Sequence, residues 1–312
     1  MSNHRIAVVG IGATGAVLAA ALLKSDPETM LVDPAPGMAA HVKEHGITVS
    51  GAITYDAVPV KHFYGQSRDL KEPAPDIVFI ATKTFYLKPV LDGLESIFKP
   101  GMKIISTHNG LGTEDVIAER FGADAAFRMS LNYGVAVEGP GRVAAAFFNP
   151  PNHLGCLKPE NSELGREIAA VLSKGGLTTE FVENNKLFVW KKMIMKCTMA
   201  SICAVTDKTI KEALQSPPIR EIADHCFQEA LAVARSQGYD LSEAYLKDAL
   251  AYLEKVGVHK DSMCADLANH NPTEIDFLGG KVVEYAKQAG IHVPYYTVMT
   301  NLVRDLDAAT KK

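Results

Sequence analysis

The chain has 312 residues, of which 47% are hydrophobic and 22% charged, and its formal net charge is -4. Its length is about twice that of a typical domain, which predicts two domains that share a cleft. The small net charge excludes strong attraction to polyanions, so we expect no nucleic-acid partner.

The N-terminus enters an apolar, strand-like segment without the basic stretch and cleavage site of a signal peptide. The sequence has no run of 18 apolar residues, so we expect no membrane span and a cytoplasmic location. The five cysteines are odd in number and form no C-x-x-C pair. We therefore expect reduced cysteines and no metal site.

The first 33 residues follow the order of a dinucleotide-binding unit. A short apolar run at 5–9 ends in GIGATG, a helical pattern covers 16–24, and a second strand reads MLVD. In such a unit Gly10 makes the tight turn, Gly12 lets backbone N–H groups approach the pyrophosphate, and Gly15 lets the helix pack on the strand. The predicted cofactor-binding residues of this loop are Gly10, Ile11, Gly12, Ala13, Thr14 and Gly15.

Asp33 ends the second strand, near the spacing at which an acid accepts hydrogen bonds from the adenosine ribose hydroxyls. A carboxylate there repels a 2'-phosphate, and the following PAPGM contains no Arg or Lys to bind one. Asp33 therefore favours NAD over NADP. The alternative is a solvated acid at the end of a strand.

Two further strand-like runs, DIVFIAT and KIISTH, alternate with helical stretches and predict a parallel, doubly wound sheet. Lys83 and Asn109 follow these runs, at the strand ends where functional residues collect. Each also has a structural interpretation, as a solvated loop lysine and as the turn residue of Asn-Gly. Downstream, GPGRV predicts a turn between extended segments and FFNPPNHLG an irregular connection.

From about residue 184 the pattern becomes helical. We therefore predict an α/β Rossmann-type domain over 1–183 and an all-α domain over 184–312. The first helix of the second domain carries Lys192 and Lys196, four residues apart and thus on one face. Two cations in an apolar helix are costly unless a carboxylate side chain, a phosphate or a substrate compensates them.

The segment NPTEIDFLGG predicts a helix that starts after a proline break. Thr273 would cap this helix, Glu274 would lie in its first turn, and Asp276 could return a hydrogen bond to the cap. Capping accounts for Thr273 and Asp276. It tolerates Glu274 without requiring it.

Together these motifs resemble those of the ketopantoate reductase (2-dehydropantoate 2-reductase) family and its 2-hydroxy acid dehydrogenase relatives, over nearly the whole chain. The resemblance rests on GIGATG, ATK, HNGLGTEDV, the W-x-K unit in VWKKM, and SMCADL followed by PTEIDFLGG. It implies NAD(P)H-dependent reduction of a small 2-oxo acid, with ketopantoate as the leading substrate. By analogy, we expect a homodimer through the C-terminal helical domain.

The resemblance also implies roles for individual residues. Lys192 is the expected catalytic lysine, with Glu274 near it. Asn109 and Ser262 are expected to contact the substrate, and Lys83 to line the cleft. Lys83, Asn109 and Glu274 are also expected to adjoin the cofactor.

Two departures from the family concern the substrate and the cofactor. Lys196 and Ala200 stand where the family has asparagines. We hypothesise that Lys196 binds an additional acidic group of the substrate, whereas the alternative is a salt bridge to Glu274 or a surface acid. Asp33 adds a second departure, because the ketopantoate enzymes typically use NADPH while some relatives with an acid there use NAD.

These departures leave other functions open. One is an NAD-dependent D-2-hydroxy acid dehydrogenase acting on branched, aromatic or acidic 2-oxo acids. Another is a catalytically inactive, dinucleotide-binding redox sensor. A third is an opine-type dehydrogenase, which joins a 2-oxo acid to an amine.

Overall fold

The structure is a computed structural model and describes residues 4–310. It divides into two compact units. The first comprises the residues up to Asn109 together with Thr113–Asn185, and the second comprises Gly110–Gly112 together with the residues from Lys186 onward.

The first unit is built on an eight-stranded sheet and a four-stranded sheet. In chain order the strands within residues 4–310 are β1 (Ile6–Val9), β2 (Met30–Val32), β3 (Ile47–Gly51), β4 (Tyr55–Val58), β5 (His62–Tyr64), β6 (Ile77–Ile80), β7 (Lys103–Ser106), β8 (Ala126–Ser130), β9 (Tyr133–Gly139), β10 (Arg142–Phe148), β11 (Asn152–Cys156) and β12 (Thr179–Phe181). The large sheet has the order β12-β11-β8-β7-β6-β1-β2-β5. Its neighbouring strands are parallel, except that β11 runs antiparallel to β8.

The helices of the chain lie between these strands and then follow them without interruption. Within the described residues they are α1 (Ala13–Ser25), α2 (Met38–His45), α3 (Leu87–Glu95), α4 (Thr113–Phe121), α5 (Ser162–Lys174), α6 (Asn185–Thr206), α7 (Ile210–Gln215), α8 (Pro217–Ser236), α9 (Glu243–Val256), α10 (Ser262–Ala268), α11 (Gly279–Gln288) and α12 (Pro294–Thr310).

Strand β6 shows why the large sheet is doubly wound. Its side chains alternate between two hydrophobic cores, with Ile77 and Phe79 in one and Val78 and Ile80 in the other. Because both faces are covered, the strand is apolar at every position rather than at every second one. The doubly wound α/β prediction is confirmed.

Strands β10 of the small sheet and β11 of the large sheet correct one prediction. GPGRV forms the turn between β9 and β10 as expected, but residues 147–155 are not an irregular connection. Phe148 still pairs with Tyr133 in β10–β9, and strand β11 then pairs with β8. The local Pro and Asn content predicts an irregular segment, but pairing with β9 and β8 makes strands of residues 147–148 and 152–155.

The described part of the second unit is helical, which confirms the all-α prediction. Helix α8 begins at Pro217, directly after Ser216, and proline is favoured at the first position of a helix. Helix α9 is capped by Ser242, whose hydroxyl accepts a hydrogen bond from the Tyr245 N–H at 3.1 Å. No helix within residues 4–310 is long and apolar enough to cross a membrane.

Candidate active site

The glycine-rich loop between β1 and α1 is closely packed at two glycines and open at the third. A Cβ on Gly10, whose φ is +92°, would lie 2.8 Å from the side chain and the backbone N of Thr82. A Cβ on Gly15 would lie 1.8 Å from the Gly10 carbonyl oxygen. At Gly12, by contrast, a Cβ would meet no atom within 4 Å. The loop thus leaves open space where the sequence predicts a pyrophosphate.

The N-terminus of α1 faces this open space. Gly12 is the N-cap residue and has no side chain to cap the helix, and the first turn contains no acid. The first N–H groups of a helix lack intrahelical partners and carry partial positive charge. Ala13 and Thr14, both half-buried, supply the start of this turn. An anion such as a pyrophosphate suits this position.

Asp33 is fixed beside the same loop. Its Oδ2 accepts a hydrogen bond from the Ile11 N–H at 2.7 Å, and its Oδ1 accepts one from the Ala35 N–H at 2.8 Å. The Ile11 N–H is therefore already committed to a carboxylate. Each carboxylate oxygen retains capacity to accept a further hydrogen bond. The arrangement suits a ribose with free hydroxyl groups.

Lys83 and Asn109 lie beyond the carboxyl ends of adjacent parallel strands. Strand β6 pairs with β1 on one side and β7 on the other, and Ile80 stands opposite Ser106. Lys83 precedes a short 3₁₀ turn, and both Lys83 and Asn109 are half-buried. Parallel strands bring these two residues to the same edge of the sheet as the glycine loop.

A buried arginine holds the segment that leads to Asn109. Arg128 Nη1 donates a hydrogen bond to Ser106 Oγ at 2.8 Å, and Nη2 donates to the His108 carbonyl oxygen at 2.6 Å. Its counter-ion is Glu114, with 3.7 Å between Nε and Oε2, and both side chains are only 3% exposed. No local sequence pattern indicates this pair, which stabilises the backbone immediately before Asn109.

His108 links this network to the glycine loop. Its Nδ1 is 2.9 Å from Ser106 Oγ, and its Nε2 is 3.3 Å from Thr82 Oγ1, the residue that packs on Gly10. Burial, together with the nearby Arg128 charge, lowers the pKa of His108 to about 3. The imidazole is therefore neutral at physiological pH and connects Ser106 to Thr82 through hydrogen bonds.

In the second unit, a carboxylate side chain compensates the charge of Lys196. Its Nζ is 2.7 Å from Oδ1 and 2.6 Å from Oδ2 of Asp261. It also donates a hydrogen bond to Ser262 Oγ at 2.9 Å. The structure thus brings together two predicted substrate-binding residues, Lys196 and Ser262. The ion pair is made with buried Asp261 and not with Glu274 or a surface acid.

The environment of Glu274 differs from the expected capping motif. Glu274 precedes a 3₁₀ turn, Ile275–Phe277, and α11 begins only at Gly279. Thr273 does not cap the turn, because the turn begins after Glu274 and the buried Thr273 Oγ1 bonds to none of its N–H groups. The Thr273 N–H donates to Asp307 Oδ1 at 3.1 Å. Asp276 instead pairs with Arg304 at 2.7 Å. The capping interpretation of this segment is wrong.

The remaining predicted residue of the second unit, Lys192, lies one helical turn before Lys196 on α6 and is half-buried.

Elsewhere in the first unit, His41 and His45 are four residues apart on α2, with ring centroids 4.7 Å apart. Within residues 4–310 no group of three or more His, Cys, Asp or Glu side chains is arranged to hold a metal ion.

Two family models match the chain in sequence order. Residues 6–159 match ketopantoate reductase PanE/ApbA, and residues 184–307 match the C-terminal part of the same family. The 2-dehydropantoate 2-reductase of Streptococcus pyogenes is 29% identical over 306 residues, which cover 96% of this chain and 97% of that protein.

Solved structures share the fold over almost the full chain. D-mandelate dehydrogenase, solved with NADH and anilino(oxo)acetate, has a TM-score of 0.85 at 24% identity, over 98% of this chain and 99% of that one. A dimeric ketopantoate reductase from Staphylococcus aureus has a TM-score of 0.79 at 19% identity, over 98% and 99% of the two chains. At these identities the likeness shows the common fold.

Proposed function

Because the chain belongs to the ketopantoate reductase family, we propose that it reduces a small 2-oxo acid to the 2-hydroxy acid with NAD(P)H, and that ketopantoate is the leading substrate. The chain is accordingly an oxidoreductase that acts on a CH–OH group. The observation that carries the proposal is the open space at Gly12, bordered by the uncapped start of α1 and by Asp33.

The cofactor is a nicotinamide dinucleotide, and residues of the first unit fit one. The first-turn N–H groups of α1 would bind the pyrophosphate, with Gly12 allowing close approach. Asp33 would accept hydrogen bonds from the ribose hydroxyls. Bound NAD(P)H supplies the hydride that reaches C2 of the 2-oxo acid.

In the proposed reaction, residues of the chain bind the substrate and provide the proton. Lys192 polarises the C2 carbonyl and donates a proton to its oxygen as the hydride arrives, a role worth about 10² to 10⁴ in rate. Glu274 stabilises the ammonium form of Lys192. Asn109 donates a hydrogen bond to the substrate, and Ser262 donates one to its carboxylate. The products are the 2-hydroxy acid and the oxidised cofactor.

Asp33 supports a preference for NADH. Its two oxygens are held by backbone N–H groups, so the carboxylate cannot turn away from a 2'-phosphate without losing these bonds. This favours a second candidate function, an NAD-dependent D-2-hydroxy acid dehydrogenase acting on a branched or aromatic 2-oxo acid. The family's usual preference for NADPH favours the first.

Initial rates of NADH and NADPH oxidation against a panel of 2-oxo acids would separate these functions. Selective turnover of ketopantoate with NADPH supports the first, and faster turnover of another 2-oxo acid with NADH supports the second. Tight cofactor binding without turnover would refute the proposal in favour of a redox sensor. Turnover only when an amine is added would indicate an opine-type enzyme.

We also propose a homodimer that forms through α12 of the helical unit. Tyr295, Val298 and Leu302 lie on one face of α12, and Val298 and Leu302 are 57% and 45% exposed. They border an apolar groove of about 390 Å³ formed with side chains of α6 and α8. An exposed apolar face of this kind suits a two-fold interface.

Light scattering on Leu302→Glu would test this interface. We expect a dimeric wild-type protein and a monomeric variant, because a carboxylate in the centre of an apolar interface remains unpaired. Val137→Glu is the matched control, since Val137 is 60% exposed but lies in the first unit. A dimeric Leu302→Glu variant would refute the interface.

A further inference from the structure

We propose that Lys196 is a positioning residue, which makes the Ser262 hydroxyl a hydrogen-bond donor aimed at the substrate carboxylate. The inference rests on the proposed function, in which Ser262 binds that carboxylate. It concerns a lysine that stands where the family has an asparagine. The lysine would act on the substrate through Ser262.

All three N–H bonds of the Lys196 ammonium group have acceptors. Two are the carboxylate oxygens of Asp261, at 2.7 and 2.6 Å, and the third is Ser262 Oγ, at 2.9 Å. An ammonium group has no lone pair and can only donate. Ser262 Oγ must therefore accept this hydrogen bond. The hydroxyl hydrogen of Ser262 therefore points away from the Lys196 ammonium group.

The Ser262 hydroxyl hydrogen is available for a stronger acceptor. Among the described residues the acceptor recorded for it is Asp261 Oδ1, at 3.5 Å, the outer limit of a hydrogen bond. That same oxygen already accepts from Lys196 and from the Met263 N–H. The Ser262 residue is exposed. A hydroxyl that accepts from a cation is polarised and donates more strongly.

Asp261 fixes the pair in place. The side chain of Asp261 is 8% exposed and that of Lys196 is 20% exposed, so the ion pair is largely shielded from solvent. Asp261 is also the N-cap of α10, accepting from the Met263 N–H at 2.9 Å. Ser262 is the next residue. The ammonium group is thus held at one position relative to the serine hydroxyl, unlike a surface lysine with many rotamers.

A double-mutant cycle between Lys196 and Ser262 tests the inference. We expect Ser262→Ala to raise KM for the 2-oxo acid by about 10- to 100-fold. Lys196→Met should raise it by about 3- to 10-fold, with kcat and the KM for the nicotinamide cofactor changed less than about twofold. In the Ser262→Ala background, Lys196→Met should change KM by less than about twofold.

A double variant tests the contribution of the ion pair itself, and a surface variant serves as its control. Lys196→Met leaves Asp261 buried without its cation, so Lys196→Met with Asp261→Asn removes both charges, and we expect the same rise in KM. Lys260→Met is the matched control, because Lys260 pairs with Asp207 at 2.6 Å on the exposed surface. Its kinetic constants should equal those of the wild type.

Three outcomes would overturn the inference. One is an equal effect of Lys196→Met with and without Ser262, which would show that the lysine acts independently of the hydroxyl. Another is a wild-type KM in the double variant of Lys196 and Asp261, which would assign the effect of Lys196→Met to an unpaired carboxylate. A wild-type protein that reduces no 2-oxo acid would overturn the proposed function as well, whereas the first two outcomes leave that function intact.

Discussion

Replacing Arg128 tests whether the buried network stabilises the segment before Asn109. Arg128→Met removes the hydrogen bonds to Ser106 Oγ and the His108 carbonyl, and it leaves the Glu114 carboxylate buried without a counter-ion. Breaking one side of such a pair costs about 3–5 kcal/mol. For a unit of this size each kcal/mol lowers Tm by roughly 2–4 °C. The expected loss is therefore about 6–20 °C.

Scanning calorimetry with a matched control gives the measurement. Arg120→Met makes the same substitution in the same unit, but Arg120 is a surface residue paired with Asp92 and Glu95. Surface ion pairs contribute about 0–1 kcal/mol each, so loss of both pairs should lower Tm by less than about 8 °C. Because the carbonyl of His108 loses its donor, Arg128→Met should also raise KM for the substrate, which we propose Asn109 binds. Equal Tm values for the two variants would refute this reasoning.

Three further predictions concern the first unit. His108 has a pKa lowered to about 3, below its usual 6.5, so between these values the unfolded chain binds a proton that the native state does not. The unfolding free energy should fall by about 2 kcal/mol from pH 7 to pH 5 in urea titrations, and His108→Asn should lose this dependence. Asp33→Ala should shift the NADPH/NADH ratio of kcat/KM upward by about 10- to 100-fold, and an unchanged ratio would contradict its role at the ribose. Gly12→Ala should weaken cofactor binding in calorimetric titration by about tenfold at unchanged Tm, whereas Gly15→Ala should lower Tm, because its Cβ would meet the Gly10 carbonyl.

The glycine loop could be predicted because its constraints are local. Gly15 packs on the Gly10 carbonyl, and the spacing between the two glycines appears directly in the sequence, whereas the packing of Gly10 on Thr82 does not. The order of strands and helices likewise follows from apolar runs that are buried on both faces. Such features require no knowledge of distant partners.

Arg128 and Asp261 could not be identified in this way. Arg128 lies in a strand, and its side chain bonds to residues up to 22 positions away, whereas Asp261 pairs with a lysine 65 positions away. Each looked like an ordinary polar residue in its local context. The local sequence likewise does not indicate that Thr273 is buried, that its N–H donates to Asp307, 34 residues away, or that the 3₁₀ turn begins after Glu274. Whether a charged residue can be buried depends on the distant partner that compensates its charge, whereas hydrophobic periodicity can be read from the local sequence.

The Lys196–Asp261 pair also bears on substrate choice. A free lysine ammonium group would attract a second carboxylate, but here Asp261 neutralises it at 2.6 Å. We therefore expect no preference for dicarboxylic over monocarboxylic 2-oxo acids of equal length. Asp261→Asn releases the charge, and a unit charge about 5 Å away is worth roughly 1–2 kcal/mol after screening.

That free energy corresponds to a gain of about 5- to 30-fold in the kcat/KM ratio of dicarboxylic to monocarboxylic substrates. Measuring both substrates in wild type and Asp261→Asn gives the ratio independently of any loss in total activity. If the wild type already prefers the dicarboxylic acid, the cation of Lys196 reaches the substrate despite Asp261, and the original hypothesis of direct binding is correct. If neither protein prefers it, Lys196 lies too far from the distal end of the substrate for its charge to matter. A preference that appears only in Asp261→Asn would show that Asp261 neutralises the charge of Lys196 in the wild type. This one acid residue, at the start of α10, would then determine whether Lys196 attracts a second carboxylate of the substrate.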